Sequence, residues 1–164
     1  GYVDEPEETA ETLRVHDDGL KWLHTGDIGC MDSDGYVYFK QRIKRMIVSS
    51  GYNIYPSQIE NVINSIPSVR SCYAIGIPHP IYSQGVKVFV VLREGTPPTP
   101  ETKERIMEVC RDKIFKYALP RQIQFLNDMP ITKLGKIYHV ELEKLCSEIG
   151  EPYDPFAPGS AHNV

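Results

Sequence analysis

The chain has 164 residues, enough for one domain or a domain plus part of another, and enough to bury a core without a disulfide or metal staple. Its 18 Lys and Arg stand against 22 Asp and Glu, a net charge of −4, which argues against the basic face of a nucleic-acid-binding protein. Apolar residues make up 41%, and no run approaches the ~20 needed for a membrane-spanning helix.

The four cysteines, Cys30, Cys72, Cys110 and Cys146, form no C-x-x-C pair, so neither a zinc ribbon nor a dithiol redox motif is expected. Free thiols in a chain this large fit a reducing cytoplasm, although an even number also permits two disulfides. The stretch from Gly1 to Glu11 is acidic and polar, unlike a signal peptide. A start at Gly1 rather than Met leads us to expect a piece of a longer protein.

Residues 1–20 read as irregular and charged. The first apolar patch begins at Trp22 and Leu23. Ile28–Met31 and Tyr36–Phe39 are strand-like runs separated by the turn signal Asp32-Ser33-Asp34-Gly35, which predicts a β-hairpin. Counting outward from that turn places Asp27 opposite Lys40, with Arg42 just beyond. Met46–Ser49 is a short apolar run closed by Ser50-Gly51. Pro56 then precedes an expected capping box, Ser57 as N-cap with Glu60 three residues on. Ile59, Val62, Ile63 and Ile66 follow at helical spacing up to Pro67. Cys72–Ile77 and Val86–Leu92 read as paired strands. Thr99 as N-cap and Pro100 at the first helical position open a second helix with Ile106, Val109, Cys110 and Ile114 on one face. Arg121–Leu126 predicts a last strand and Tyr138–Cys146 a last helix. The tail from Gly150, with Pro152, Pro155 and Pro158, is expected to be loose unless Tyr153 and Phe156 dock. The fold class is α+β: a small, mostly antiparallel sheet flanked by helices, preceded by a hairpin.

Three segments concentrate Gly, Pro and charge. In His24-Thr25-Gly26-Asp27 the carboxylate at the open end of the hairpin either caps a turn or offers two oxygens to a vicinal diol such as a ribose. Arg42 beside it either pairs with Asp27 and nothing else or grips the same hydroxyls from the other side. Gln41-Arg42-Ile43-Lys44-Arg45 is a plain linker or a hinge, since a few element-terminal residues suffice to absorb a φ/ψ change. Met129-Pro130-Ile131-Thr132-Lys133-Leu134-Gly135-Lys136 is a loop with Lys136 at its tip. It is not a phosphate-binding Walker loop, because Pro130 and Ile137 stand where that motif needs Gly and Ser or Thr. A solvated surface lysine is the alternative reading. The five histidines show no metal-ligand spacing, and Ser49 and Ser50 lack a nucleophile elbow.

Taken together, the order of these segments resembles the C-terminal part of the AMP-forming acyl-CoA synthetases, the superfamily of firefly luciferase and the adenylation domains of nonribosomal peptide synthetases. Trp22-Leu23-His24-Thr25-Gly26-Asp27 is similar to its W-x-x-T-G-D segment. Asp34-Gly35-Tyr36 with Arg42-Ile43-Lys44 is similar to D-G-Y…R-x-[KD]. Gly51-Tyr52-Asn53-Ile54-Tyr55-Pro56 with Ile59-Glu60 is similar to G-x-N-I-x-P-x-x-I-E, and Pro130…Gly135-Lys136 to P-x-x-x-x-G-K. The resemblance covers about residues 1–145. It departs at His139 and Val140, where Arg is frequent shortly after the closing Gly-Lys, and at Ala118, often Lys.

The resemblance implies a ligase that joins a carboxylic acid to ATP as an acyl-adenylate and then to a thiol, usually of coenzyme A, with Mg²⁺ on the phosphates. It implies that Asp27 and Arg42 bind the ribose of ATP or AMP and that Lys44 is the hinge. Lys136 serves adenylation, supported in its loop by Pro130 and Gly135. Ser50, Gly51 and Tyr52 face the pantetheine of CoA. No metal site is expected among these residues. Residues 1–43 would be the end of a large N-terminal domain, 44–149 a mobile lid, and 150–164 a tail. The family's phosphate loop and acyl pocket have no counterpart here. The expected partners are the chain's own N-terminal domain, the acid and CoA, with no nucleic acid or membrane span, in the cytoplasm, and fatty-acid metabolism is the expected setting. The alternatives are an enzyme loading a carrier protein and a stand-alone, non-catalytic module.

Overall fold

The computed structural model describes residues 1–147, so the tail reading at 150–164 and the last two residues of the expected lid lie outside it. The described chain divides into two compact units, Gly1–Lys44 and the residues from Arg45 onward.

The first unit begins with a short helix, α1 (Pro6–Thr12), where an irregular segment was expected. Pro6 stands in the first turn, where its missing N–H costs nothing, and Glu7 and Glu8 oppose the positive helix end. β1 (Leu13–Val15) and β2 (Lys21–Leu23) pair antiparallel, also within or beside that stretch. β3 (Asp27–Met31) and β4 (Val37–Arg42) form the expected hairpin. Its register corrects the simple count. A bulge between Ile28 and Gly29 leaves Lys40 without a partner and sets Asp27 directly opposite Arg42. Gly29 permits it: a Cβ there would lie 3.0 Å from the Tyr38 carbonyl oxygen. A 3-10 turn, Ile43–Arg45, follows.

The second unit is a five-stranded sheet. β5 (Ile47–Ser49) and β6 (Tyr52–Ile54) form a hairpin across Ser50 and Gly51, and the strand order runs β6, β5, β8 (Ser83–Leu92), β7 (Val69–His79). β9 (Pro120–Leu126) adds to β8 in parallel, and the other pairings are antiparallel. Alternation along β7 and β8 sends Cys72, Ala74, Val86, Val88 and Val90 to one face and Tyr73, Ile75 and Phe89 to the other. The first face packs against α2 (Pro56–Asn64) and α3 (Pro100–Lys113) through Ile59, Ile63, Ile106, Met107 and Cys110. The second is covered by α4 (His139–Ser147) through Leu142, with Met129 and Ile137 joining from the loop before it. Both faces are buried, which is why β8 reads as a continuous apolar run.

The start of α2 differs from the expected capping box. Tyr55 is the N-cap, with extended backbone and no side-chain cap, and Pro56 takes the first helical position. A residue before proline is pushed out of the helical region, so the boundary falls there and Ser57 lies inside the helix. Glu60 is thereby released for other contacts. α3 begins as expected, with the Thr99 hydroxyl accepting the Thr102 N–H at 3.3 Å.

Candidate functional site

In the first unit the bulge brings the Arg42 Nε within 3.1 Å of Asp27 Oδ1. Both side chains keep open sides, Arg42 most of all, and together they line one wall of a cleft of about 820 Å³ with Trp22, His24, Thr25 and Lys44. An exposed ion pair of this kind contributes under about 1 kcal/mol to stability. Its oxygens and N–H groups remain available to a polyhydroxyl ligand. Lys44 ends this unit, with an exposed side chain.

The second unit carries the other expected residues at two places. Ser50 and Gly51 both have positive φ, +51° and +80°. A two-residue hairpin with both central residues left-handed matches the twist of its strands, and Gly51 adopts it freely while Ser50 does so at a cost. The Ser50 N–H donates to the Tyr82 carbonyl at 3.0 Å, which holds the turn in place. Tyr52 leaves the turn exposed and stacks on Tyr117, centroids 4.4 Å apart, and Tyr117 stacks on Phe115 at 5.6 Å. This run of three rings was not read from the sequence. The spacing Phe115-x-Tyr117 was its only local sign, and Tyr52 lies too far along the chain to suggest the partnership.

The loop at Lys136 is a small hairpin of its own. Ile131 bridges Ile137, the Thr132 N–H donates to the Lys136 carbonyl at 2.6 Å, and the Gly135 N–H to the Thr132 carbonyl at 2.9 Å. Gly135, at φ +76°, closes the turn. The Thr132 hydroxyl accepts the Lys136 N–H at 3.2 Å, and Tyr138 N–H donates to the Pro130 carbonyl. The tip is Lys133 and Leu134, not Lys136 as the sequence suggested; Lys136 lies one residue past the turn, just before the Ile131–Ile137 bridge, with its side chain exposed. Met129 and Ile137 fasten the base of the loop into the second core face. An ammonium group is therefore held outward on an anchored support.

Glu60 has become part of a network at the start of the second unit. Its Oε1 accepts the Ala74 N–H at 2.9 Å and pairs with Arg45 Nη2. The four cysteines are all free. Burial pushes the thiols of Cys72 and Cys110 up to about 12, with the Glu60 carboxylate adding to the effect on Cys72. Among the described residues no group of three or more His, Cys, Asp or Glu could hold a metal ion, and no helix is long and apolar enough to cross a membrane.

Comparison with known proteins places this architecture. Residues 58–136 match the model of the AMP-binding enzyme C-terminal domain. A long-chain-fatty-acid–CoA ligase of Escherichia coli O6:H1 is 36% identical over 142 residues, 87% of this chain and 24% of that protein. A feruloyl-CoA synthase of an Amycolatopsis species is 36% identical over 144 residues, 88% of this chain and 28% of that protein. The chain thus spans about a quarter of the length of the curated relatives it matches. Among solved structures, ATP-bound MatB from Rhodopseudomonas palustris superposes with a TM-score of 0.79 at 30% identity, covering 94% of this chain and 29% of that one. With four motifs in order and these relatives, residues 58–136 belong to the AMP-binding enzyme C-terminal domain family, and the chain around them is similar to adenylate-forming acyl-CoA ligases.

Proposed function

We propose that this chain is the moving C-terminal domain of an AMP-forming acid–thiol ligase, together with the strands that precede it. In the first step a carboxylate oxygen attacks the α-phosphorus of ATP, the bond to the leaving pyrophosphate breaks, and an acyl-adenylate forms. In the second the thiol sulfur of CoA attacks the acyl carbon and AMP departs. Asp27 and Arg42 hold the ribose hydroxyls. Their 3.1 Å pairing across the bulge sets a carboxylate and a guanidinium side by side, the arrangement that can accept from and donate to adjacent hydroxyls. Mg²⁺, for which the described residues offer no ligand set, would when bound neutralise charge on the phosphates. The setting is the cytoplasm, and the relatives' names favour CoA over a carrier protein as acceptor, with fatty-acid metabolism one home for such a reaction.

The observation that carries this reading is the exposed Lys136 on its anchored loop. The first step presses two anions together. An ammonium about 4 Å from an anionic oxygen contributes on the order of 4 kcal/mol at an effective dielectric near 20. At about 1.4 kcal/mol per decade of rate, that is roughly a thousandfold. The second step needs the room the lysine occupied, and rotation about Lys44 both withdraws Lys136 and presents the Ser50-Gly51 turn. The exposed rings of Tyr52, Tyr117 and Phe115 beside that turn then offer a stacking surface to the adenine of CoA.

In the full-length ligase, Lys136→Ala should slow ATP–pyrophosphate exchange by about a thousandfold while thioester formation from pre-made acyl-adenylate stays within a few-fold. Equal loss of both half-reactions would overturn the assignment. Residues 1–164 alone should show no exchange activity, because the acyl pocket and phosphate loop of the resemblance have no counterpart here.

A further inference from the structure

Arg45 is the first residue of the second unit and follows Lys44 directly. Its side chain is three-quarters covered and is engaged on two sides. The guanidinium lies 4.2 Å from the centroid of the Tyr73 ring, and Nη2 pairs with Glu60 Oε1 and approaches the Ala74 carbonyl at 3.5 Å. Glu60 is fixed in turn, since the same oxygen accepts the Ala74 N–H. A cation over a ring combined with a charge-assisted bond to a carboxylate held by α2 and β7 is a firm attachment for a residue at the edge of a domain.

Tyr73 reaches further. Its ring meets His139 edge-on, centroids 6.1 Å apart. His139 is the first residue of α4, pairs with Glu143 at 3.0 Å, and follows Lys136 by a single short connection, Ile137-Tyr138. Ile137 itself packs into the core face that Tyr73 belongs to. Arg45, Tyr73 and His139 thus form a bracket across β7 from the residue after Lys44 to the end of the Lys136 loop.

We propose that Arg45 is a positioning residue of the ligase, the anchor that makes the lid turn as one piece. This rests on the reading of Lys44 as the hinge. If the chain after the pivot were loosely held, rotation would spread into residues 45 and 46 and Lys136 would arrive at a variable distance. A reacting group misplaced by about 1 Å can lose about a hundredfold in rate. With Arg45 fixed to α2 and β7, the bend is confined to the residues before it. Lys136 and the Ser50-Gly51 turn then keep a constant reach from the pivot in both half-reactions.

The test uses the full-length ligase, with kcat and KM measured for each half-reaction. Arg45→Gln should lower kcat about tenfold in both, with KM for ATP and CoA within twofold. Arg45→Lys, which keeps a cation beside Tyr73 and Glu60, should recover most of the loss. Tyr73→Leu should behave as Arg45→Gln does, and Tyr73→Phe, which keeps the ring, should recover. Amide exchange should quicken at residues 43–46 in Arg45→Gln and stay unchanged in β8. That pattern separates a lost anchor from an unfolded domain. Lys44→Pro tests the pivot itself and should part the two half-reactions. If it does and Arg45→Gln stays within twofold of wild type, the hinge stands and the anchor falls. A loss in Arg45→Gln that Arg45→Lys does not repair, or one carried by KM, also overturns the anchor. If Lys44→Pro leaves the half-reactions equal, hinge and anchor fall together.

Discussion

The hairpin of β3 and β4 and the hairpin of β7 and β8 are made of the same kinds of residues and end with opposite exposures. Val37, Tyr38 and Phe39 stand open to solvent, as do Met31 and Tyr36 beside them, whereas Val86, Val88, Phe89, Val90 and Val91 are sealed between helices on both sides. Strand-forming side chains dictate pairing in each case. Burial is a separate matter, decided by whether a second layer lies over the face. α2, α3 and α4 provide those layers in the second unit. In residues 1–44 the one buried side chain is Gln41, and no core of its own holds the unit together. The strands of the first unit therefore carry a pairing pattern without a covering layer, and the second unit carries both.

The largest effect that can break this comparison is a matched pair of truncations. Phe89 is 0% exposed and Phe39 is 66% exposed. Phe89→Ala should destabilise the chain by about 3–5 kcal/mol, the transfer loss plus the cavity it leaves. Phe39→Ala, in the same chain under the same denaturant, should stay within about 0.5 kcal/mol. Comparable shifts in the urea midpoint would show that the first hairpin is held by packing its exposures do not reveal.

A smaller effect follows from the thiols. Cys72 and Cys110 lie in the core face under α2 and α3, and burial pushes both up to about 12. The ordinary thiol value is near 9, so between about 9 and 12 the folded state holds a proton that the unfolded state has released. Their contribution is complete below pH ~9 and declines as pH rises, by about 1.4 kcal/mol per thiol for each unit. Cys30, exposed in the first hairpin, lacks that protection. Alkylation at pH 8.5 should modify Cys30 rapidly and leave Cys72 and Cys110 intact until the chain unfolds. Their rapid modification in folded protein would mean that the core face opens far more readily than its packing indicates.

How much of this was legible beforehand differs along the same division. In the second unit, apolar runs sufficed for β7, β8 and α4, and a Pro-marked start for α3, to within a few residues. The Gly135-Lys136 loop was visible because a left-handed turn needs its glycine. The hairpin turn at 32–35 was equally plain, but the bulge was not. One extra residue leaves no compositional trace, and only the approach of a Gly29 Cβ to the Tyr38 carbonyl shows why it sits there. Without it the Asp27–Arg42 pair looked offset. α1 escaped notice because its seven residues bury nothing. Glu60 was read as a cap because cap spacing is local. Its real partners, Arg45 and Ala74, are brought near only by the folding of β7 against α2. Long-range pairing of this kind has no signature in a single sequence.

The smallest effect is confined to the first hairpin's turn and tests whether that turn holds itself without a core. Asp32 organises it: Oδ1 accepts the N–H groups of Asp34 at 3.0 Å and Tyr36 at 2.9 Å, and Oδ2 accepts the Tyr38 hydroxyl at 2.8 Å. The Tyr38 hydroxyl is the larger of these influences in drawing the Asp32 carboxyl below its ordinary value, and the same bond raises the Tyr38 phenol. A depressed carboxyl contributes above its unfolded value and loses that contribution as pH falls below about 4. A raised phenol contributes below its unfolded value and loses it as pH climbs past about 10. One hydrogen bond therefore fails at both ends of the scale, by protonation of its acceptor in acid and by loss of its proton in base. Amide exchange of Asp34 and Tyr36 should quicken beyond its intrinsic pH dependence below pH ~4, and Tyr38→Phe should abolish the alkaline change while retaining the acid one, since the two backbone donors remain. The β7–β8 amides should ignore the acid transition, and their alkaline response, set by the buried thiols, should be the same with and without Tyr38→Phe. If they quickened in acid in step with Asp34 and Tyr36, the turn and the second unit would be one cooperative structure, and the division between a pattern and a finished core would have to be abandoned.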